Sequence, residues 1–130
     1  MEMAAPRGVV GLGTDLVEVE RFRLAVGRRA NLPQRLFTDG ERAYAEGQHD
    51  PVKSLAVRFA SKEAVMKALG VGIGAFRFRD VEVVRDDEGA PGVVLHGAAA
   101  DLATTRGVRS WRVSLSHTDA TAMAVVIALG

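Results

Sequence analysis

The chain has 130 residues, of which 48% are hydrophobic and 25% charged, with a net charge of +1 and no cysteine. This length and composition are typical of one globular domain, which we place over residues 1–130, and the lack of cysteine excludes disulfides, thiolate catalysis and cysteine-built metal sites. The near-neutral charge argues against a nucleic-acid partner, and the absence of a signal peptide or membrane-spanning run predicts a cytoplasmic protein without a membrane partner.

The first third of the chain predicts one strand and then short helices. The Val- and Gly-rich run GVVGLGTD predicts a strand that ends near Asp15, and apolar residues at helical spacing predict a helix that begins at Leu16. The run LPQRLF predicts a further short turn of helix, with its proline near the start. Thr38 and Glu41 have the spacing of a capping box, which predicts another short helix.

A long central helix, predicted from Pro51 to Leu69 and closed by Gly70, contains the least expected residue of the sequence. On a helical wheel Glu63 lies near the centre of the apolar face, where a lone charge is too costly to keep. Glu63 therefore needs a cation, either from Lys67 four residues on or from outside the protein.

The remainder of the chain predicts four strands and one helix. After the flexible loop GVGIG, the runs FRFRDVEVV and VVLH flank the turn sequence RDDEGAPG and predict a hairpin. GAAADLATTRG predicts a helix that Gly107 closes, and WRVSLSH and TAMAVVIAL predict two final strands. This order predicts a single α+β domain in which a small antiparallel sheet packs on the long central helix.

Two carboxylates and three cations are candidates for chemistry. Asp15 follows glycines that permit close approach of a ligand, although an aspartate before a helix is also a common N-cap. Together with Glu63 it predicts a Mg²⁺ site, because Mg²⁺ is usually held by one or two protein carboxylates plus phosphate oxygens. Arg58, Lys62 and Lys67, close to the loop GVGIG, suit a ligand with several phosphates.

His117 ends a predicted strand and has two interpretations, a hydrogen-bonded structural histidine or an anion ligand beside Ser116 and Thr118. A hydrolytic triad of Ser116, His117 and Asp119 is excluded, because neighbouring strand residues point to opposite faces and cannot converge. His49, in a polar turn, is interpreted as structural.

Basic residues concentrate in residues 21–35, which contain five arginines, the first of them Arg21. A patch of this kind favours an acidic partner, and a solvated helix face is the alternative. Because the whole chain is nearly neutral, any such attraction would come from this segment alone.

Four longer segments resemble a known family. GLGTDLVEVERF, RFASKEAVMKALGVGIG, FRDVEVVRDDEGAP and VSLSHTDATAMAVVI occur in the order and spacing of the holo-acyl-carrier-protein synthases, from about residue 8 to residue 129. These are small, bacterial-type 4′-phosphopantetheinyl transferases. The resemblance implies their fold and the Mg²⁺-dependent transfer of the phosphopantetheine arm of coenzyme A to a serine of apo acyl carrier protein, for fatty-acid or polyketide biosynthesis. It also implies a homotrimer with active sites at subunit interfaces.

The same resemblance assigns roles to individual residues. It implies Asp15 and Glu63 as the Mg²⁺ ligands, Lys67 as the contact of the pyrophosphate and Arg21 as a contact of the acidic carrier protein. Glu63, Asp15 and water stay open as the acceptor of the serine proton. The residues implied around the nucleotide and its phosphates are Arg58, Lys62, Lys67, Gly70, Pro91, His117 and Thr118.

Two departures from the family pattern concern affinity for the substrate. Val71 stands in the glycine loop where many members have threonine, and EGQHDPVKS is poor in basic residues near the expected 3′-phosphate, with Lys53 as the remaining cation. A non-catalytic module that binds nucleotide or acidic protein is the alternative function. A degenerate relative of that kind would be expected to have lost Asp15, Glu63 or Lys67, and all three are present.

Overall fold

The glycine-rich run at the start of the chain forms a long strand, β1 (Val9–Glu18), in the computed structural model, which describes residues 8–130. Residues 1–7, included in the predicted domain, lie outside the described residues. β1 continues beyond Asp15, so the prediction that a helix begins at Leu16 is wrong. The strand keeps pairing with the last strand of the chain until Glu18 lies opposite Thr121, and the helix starts only at Val19.

Helices follow β1 in the predicted order, namely α1 (Val19–Arg28), α2 (Leu32–Leu36), α3 (Asp39–Glu46) and α4 (Pro51–Ala68). The capping box at α3 is confirmed, because the Thr38 side chain accepts from the Glu41 amide and the Glu41 side chain accepts from the Thr38 amide. At α4 the N-cap Asp50 accepts from a first-turn amide, and Gly70 follows the helix with a left-handed φ of 73°.

A short 3₁₀ turn (Phe78–Asp80) leads into the hairpin of β2 (Val81–Arg85) and β3 (Pro91–Leu95), and α5 (Gly97–Thr105), β4 (Ser110–His117) and β5 (Thr121–Leu129) complete the chain. The strand predicted over FRFRDVEVV is therefore wrong in its first half. Phe78 turns inward there and stacks on Phe59, with ring centroids 5.3 Å apart. This packing requires a turn where alternation suggested a strand.

The strands form two antiparallel sheets where the sequence predicted one. β5 lies between β1 and β4 in a three-stranded sheet, and β2 pairs with β3 in a separate hairpin. α4 packs against both sheets and against α1 and α3, so it is surrounded on most sides. The predicted α+β architecture around a long central helix is confirmed. In the described part of the chain, no helix is long and apolar enough to cross a bilayer.

Candidate active site

Asp15 reaches α4 because β1 crosses this helix without side chains between the two backbones. A Cβ atom at Gly11 would lie 1.9 Å from the carbonyl oxygen of Ala68, and one at Gly13 would lie 1.8 Å from that of Ala64. Only glycine permits this approach. Alternate strand residues share a face, so Asp15 follows the two glycines on the side that meets the helix.

Lys67 of α4 is anchored to β1. Its ammonium donates to Asp15 Oδ1 at 3.0 Å and to the carbonyl oxygen of Thr14 at 2.9 Å. The Asp15 side chain is only 11% exposed, whereas that of Lys67 is 53% exposed. The lysine therefore holds a fixed position and still presents part of its ammonium to solvent. The sequence suggested Lys67 as a partner of Glu63, and the structure pairs it with Asp15 instead.

Glu63 lies close to this pair and is half-buried, not at the centre of a buried face as the helical wheel suggested. Burial raises the pKa of its carboxyl, the charge of Asp15 raises this pKa further, and Lys67 lowers it. Within residues 8–130 the carboxylate has no hydrogen bond and no ion-pair partner. Two carboxylates that raise each other's energy, one of them without a partner, form a site that a cation would stabilise.

The donors at this site fit Mg²⁺. Both are carboxylates, which are the hard oxygen ligands that Mg²⁺ prefers, and Mg²⁺ usually completes its shell with water and substrate phosphates. Among residues 8–130 no group of three or more His, Cys, Asp and Glu side chains is placed to hold a metal. A Mg²⁺ ion at Asp15 and Glu63 would therefore need oxygens from a ligand or from water.

Lys62 does not face this site, in disagreement with the expectation that it binds phosphate. Its side chain is fully buried and donates to Glu41 Oε1 at 2.7 Å, to the carbonyl oxygen of Phe78 at 3.1 Å and to that of Val81. These bonds use all three ammonium hydrogens. Glu41 also accepts from the amide of Val83 at 2.9 Å, so the pair joins α3, α4 and β2.

A cleft of about 340 Å³ opens at the N-terminal part of α4, between α3, β2 and the end of β4, away from the carboxylates. We call it the α3–α4 cleft. Arg58 and His117, both expected at a nucleotide site, line it. Tyr44, His49 and Arg85 line it as well. No local sequence pattern indicates a shared site for these three residues, because they come from separate parts of the chain, and His49 was expected to be structural.

Arg58 is almost fully buried in this cleft, with 2% of its surface exposed. Its guanidinium donates to the carbonyl oxygen of Ser54 at 3.1 Å and to the hydroxyl of Ser54 at 2.8 Å. Its Nε atom is buried without a hydrogen-bond partner. Burial lowers the pKa of Arg58, and the nearby charge of Arg85 lowers it further. An anion in the cleft would relieve both effects.

The two candidate regions lie on different sides of α4. Arg58 and Lys67 are nine residues apart, which at about 100° per residue places them roughly half a turn from each other. The same spacing separates them by about 14 Å along the helix axis. One side of α4 therefore carries Glu63 and Lys67 and faces Asp15 of β1, and the other side lines the α3–α4 cleft.

Comparison with known proteins identifies the family. The sequence profile of the 4′-phosphopantetheinyl transferase superfamily matches residues 11–126. The chain belongs to this superfamily. The match begins within β1, includes all of α4 and ends within β5, so the resemblance found in the sequence is confirmed.

Three relatives place this phosphopantetheinyl transferase more closely. A holo-[acyl-carrier-protein] synthase of Moorella thermoacetica is 46% identical over 115 residues, which cover 88% of this chain and 90% of the relative. The crystal structure of a synthase of the same name from Neisseria meningitidis has a TM-score of 0.86 at 31% identity and covers 94% of this chain and 99% of its own. One from Bacillus anthracis, solved in complex with coenzyme A (3′,5′-ADP), has a TM-score of 0.78 at 31% identity, with coverage of 95% and 98%.

Three further residues expected at the nucleotide site of this transferase lie in a turn, a strand and a helix end. The Thr118 hydroxyl accepts from the amides of Ala120 and Thr121 at 3.2 and 3.1 Å, so it also shapes the turn between β4 and β5. Pro91 begins β3 directly opposite Arg85, next to the α3–α4 cleft. Gly70 needs its left-handed conformation to end α4.

Of the arginines in residues 21–35 of the transferase, Arg23 forms ion pairs and is not fully available to a partner. Arg21 and Arg28 are exposed on α1. Arg23 instead pairs with Glu20 at 3.0 Å and with Asp50 at 2.7 Å, which attaches α1 to the start of α4. The exposed surface of this segment therefore has one arginine fewer than the sequence suggested.

Proposed function

We propose that this transferase moves the 4′-phosphopantetheine arm of coenzyme A onto a serine hydroxyl of an apo acyl carrier protein and releases 3′,5′-ADP, in the cytoplasm and for fatty-acid or polyketide biosynthesis. The observation that carries the proposal is the convergence of Asp15, Glu63 and Lys67 beside α4. The relatives named above are holo-acyl-carrier-protein synthases, and one of them was solved with coenzyme A. The alternative from the sequence, a non-catalytic binding module, would not need this convergence.

Asp15 and Glu63 would hold Mg²⁺, and Lys67 would meet the pyrophosphate. When bound, the metal neutralises charge on the pyrophosphate whose P–O bond breaks. Lys67 is anchored by two oxygens of β1 and half exposed, so it adds a fixed positive charge where the leaving phosphate gains negative charge. The serine hydroxyl loses its proton as it attacks phosphorus, and Glu63, Asp15 or water would accept this proton.

The nucleotide end of coenzyme A would bind in the α3–α4 cleft, with Arg58, His117, Thr118 and Pro91 around it. This cleft and the carboxylates face different sides of α4, about half a turn apart. An active site completed by two copies of the chain would bring one cleft beside the carboxylates of the neighbouring copy. This supports a homotrimer with shared sites, as expected from the family.

The three-stranded sheet offers a surface for such an assembly. Gly13 and Asp15 face α4, so Leu12 and Leu16 point away from it and are 62% and 67% exposed. On β5, Ile127 lies opposite Leu12 and Met123 opposite Leu16. Cross-strand neighbours share a face, so these four residues, with Val125 between them on β5, form an apolar patch of the kind that marks protein interfaces. We propose that the patch is covered by copies of this chain.

An acidic carrier protein would dock on α1. Arg21 and Arg28 are exposed there, and Phe22 between them is buried against Phe59 at a centroid distance of 5.4 Å. The helix is thus fixed on the body while its basic side faces solvent. Complementary charge of this kind steers and orients an acidic partner.

The deciding experiment measures the intact mass of an apo acyl carrier protein incubated with this protein, coenzyme A and Mg²⁺. We expect a mass gain of one phosphopantetheine that EDTA abolishes. Glu63→Gln should abolish the gain, because it removes one of two carboxylates proposed to hold the metal. Glu88→Gln is the matched control, since Glu88 lies in the exposed β2–β3 turn, and it should retain full activity.

Two results would contradict the proposal. Full activity of Glu63→Gln would refute the metal assignment, and no mass gain on any fatty-acid or polyketide carrier, despite binding of coenzyme A, would favour the binding module. Circular dichroism of Glu63→Gln should match that of the parent protein, because Glu63 has no bonded partner within residues 8–130 whose loss could unfold it.

A further inference from the structure

Arg106, the C-cap residue of α5, bonds to the end of α4. Its guanidinium donates to the backbone carbonyl oxygen of Leu69, which is the C-cap residue of α4. The Arg106 backbone is itself fixed, because its amide donates to the carbonyl oxygen of Leu102 at 2.9 Å and Gly107 follows with a left-handed φ of 78°. This side chain therefore joins a second helix to the last turn of the helix that carries Lys67.

The bond satisfies a group that α4 cannot satisfy alone. The last carbonyl groups of a helix have no donor within the helix. The carbonyl oxygen of Lys67 accepts from the amide of Gly70 at 3.0 Å, in the turn that ends the helix. The carbonyl oxygen of Leu69 accepts from Arg106 instead, and the guanidinium places a positive charge at the negative end of the helix dipole.

The chain after this turn has little support from its surroundings. Among residues 8–130, no heavy atom outside the adjacent residues lies within 4 Å of a Cβ position at Gly72 or Gly74. Ile73, between these two glycines, is 73% exposed. The loop GVGIG is thus open to solvent over its last three residues. The bond from Arg106 is made just before this loop, where it separates the fixed end of α4 from the exposed chain.

We propose that Arg106 is a positioning residue for Lys67, because it holds the last turn of α4 from which the lysine reaches the pyrophosphate. This inference rests on the function proposed above. The Lys67 ammonium is anchored by Asp15 and the carbonyl oxygen of Thr14. The Lys67 backbone is anchored at the other end, through the Gly70 turn that Arg106 closes. A charge that acts on the leaving phosphate must be held precisely, so loosening either anchor should slow the reaction.

Amide hydrogen exchange tests whether Arg106 holds the end of α4. The side chain in Arg106→Gln is shorter and uncharged, so the amide of Gly70 should exchange about tenfold faster than in the parent protein. Arg109→Gln is the matched control, because it removes another exposed arginine between α5 and β4, and it should leave this exchange unchanged. An unchanged rate at Gly70 in Arg106→Gln would overturn the proposal.

Single-turnover transfer, with the transferase in excess over the carrier protein, tests whether Arg106 acts through Lys67. Arg106→Gln should slow transfer about tenfold, whereas Arg109→Gln should not. In the Lys67→Met background, Arg106→Gln should slow transfer less than twofold, because no ammonium remains to be positioned.

Two results of this cycle would overturn the positioning role. Equal slowing by Arg106→Gln with and without Lys67 would show that Arg106 acts independently of the lysine. Full activity of Arg106→Gln would show that its bond to Leu69 has a structural role only. Arg106 is exposed, so the substitution leaves the buried core intact and the variant testable. The carrier mass assay on the parent protein separates failure of this inference from failure of the proposed function.

Discussion

The ammonium of Lys62 and the carboxylate of Glu41 form an ion pair 2.7 Å long, and neither side chain has any exposed surface. Lys62 also donates to the carbonyl oxygens of Phe78 and Val81, and Glu41 also accepts from the amide of Val83, so a hydrogen-bonded charge pair lies inside the protein. Lys62 directly precedes Glu63 on α4. The pair therefore fixes the position of α4 beside α3 and β2, and with it the helix that carries Glu63 and Lys67.

Lys62→Met should destabilise the protein by about 3–5 kcal/mol, because it leaves the Glu41 carboxylate buried without a cation. Urea unfolding followed by circular dichroism measures the change. Lys53→Met is the control, since its partner Asp119 is fully exposed, and it should have little effect. The double variant Glu41→Gln with Lys62→Met should be more stable than Lys62→Met alone, because no buried charge remains. A double variant of still lower stability would contradict this account.

Gly13→Ala should also destabilise the protein, and it should do so through the approach of β1 to α4. The added Cβ would lie 1.8 Å from the backbone oxygen of Ala64, which cannot move without displacing the helix. A cost of about 1–3 kcal/mol is expected for such overpacking, together with loss of transferase activity as Asp15 shifts. Gly27→Ala in α1 is the control, since nothing lies within 4 Å of its Cβ position, and it should be neutral or stabilising. Equal urea midpoints for Gly13→Ala and Gly27→Ala would show that the close approach of β1 to α4 does not limit the stability of the protein.

Local patterns predicted most of the elements but failed at the end of β1. Leu16, Val19, Phe22 and Val26 have helical spacing, yet the first of them is in the strand. β1 extends to Glu18 because it pairs with β5, more than a hundred residues later in the chain. A helical period in residues 16–26 contains no information about that distant partner.

Only part of the candidate site was predictable from the sequence, because local patterns contain no information about contacts between distant segments. Asp15 and Glu63 follow from motifs within single segments, and the structure brings them close together. Lys62 lies at the edge of the apolar arc on a helical wheel, but α4 is covered on that side too and Glu41 meets it from α3. Tyr44 and Arg85 meet only in three dimensions, so no spacing in the sequence could have paired them.

Leu16→Asp should disrupt the proposed homotrimer, because it places a charge in the apolar patch of the three-stranded sheet. Burying a leucine of this size contributes about 1.5–3 kcal/mol per copy, and a buried unpaired carboxylate adds a further cost. Sedimentation velocity should show a trimer for the parent and smaller species for the variant, with loss of activity. Leu24→Asp is the matched control, because Leu24 is 58% exposed on α1, outside this patch. An unchanged trimer in Leu16→Asp would place the interface elsewhere.

Arg21→Glu should raise the KM for the carrier protein severalfold and leave the affinity for coenzyme A unchanged. Arg21 is exposed on α1, outside the α3–α4 cleft, so charge reversal there should repel an acidic partner without touching the nucleotide. Steady-state kinetics at two salt concentrations measure the effect, which should shrink as salt screens the charges. Arg109→Glu makes the same charge change on an exposed residue just before β4 and controls for net charge. If Arg21→Glu weakened coenzyme A binding alone, α1 would belong to the nucleotide site and the carrier protein would dock on another surface.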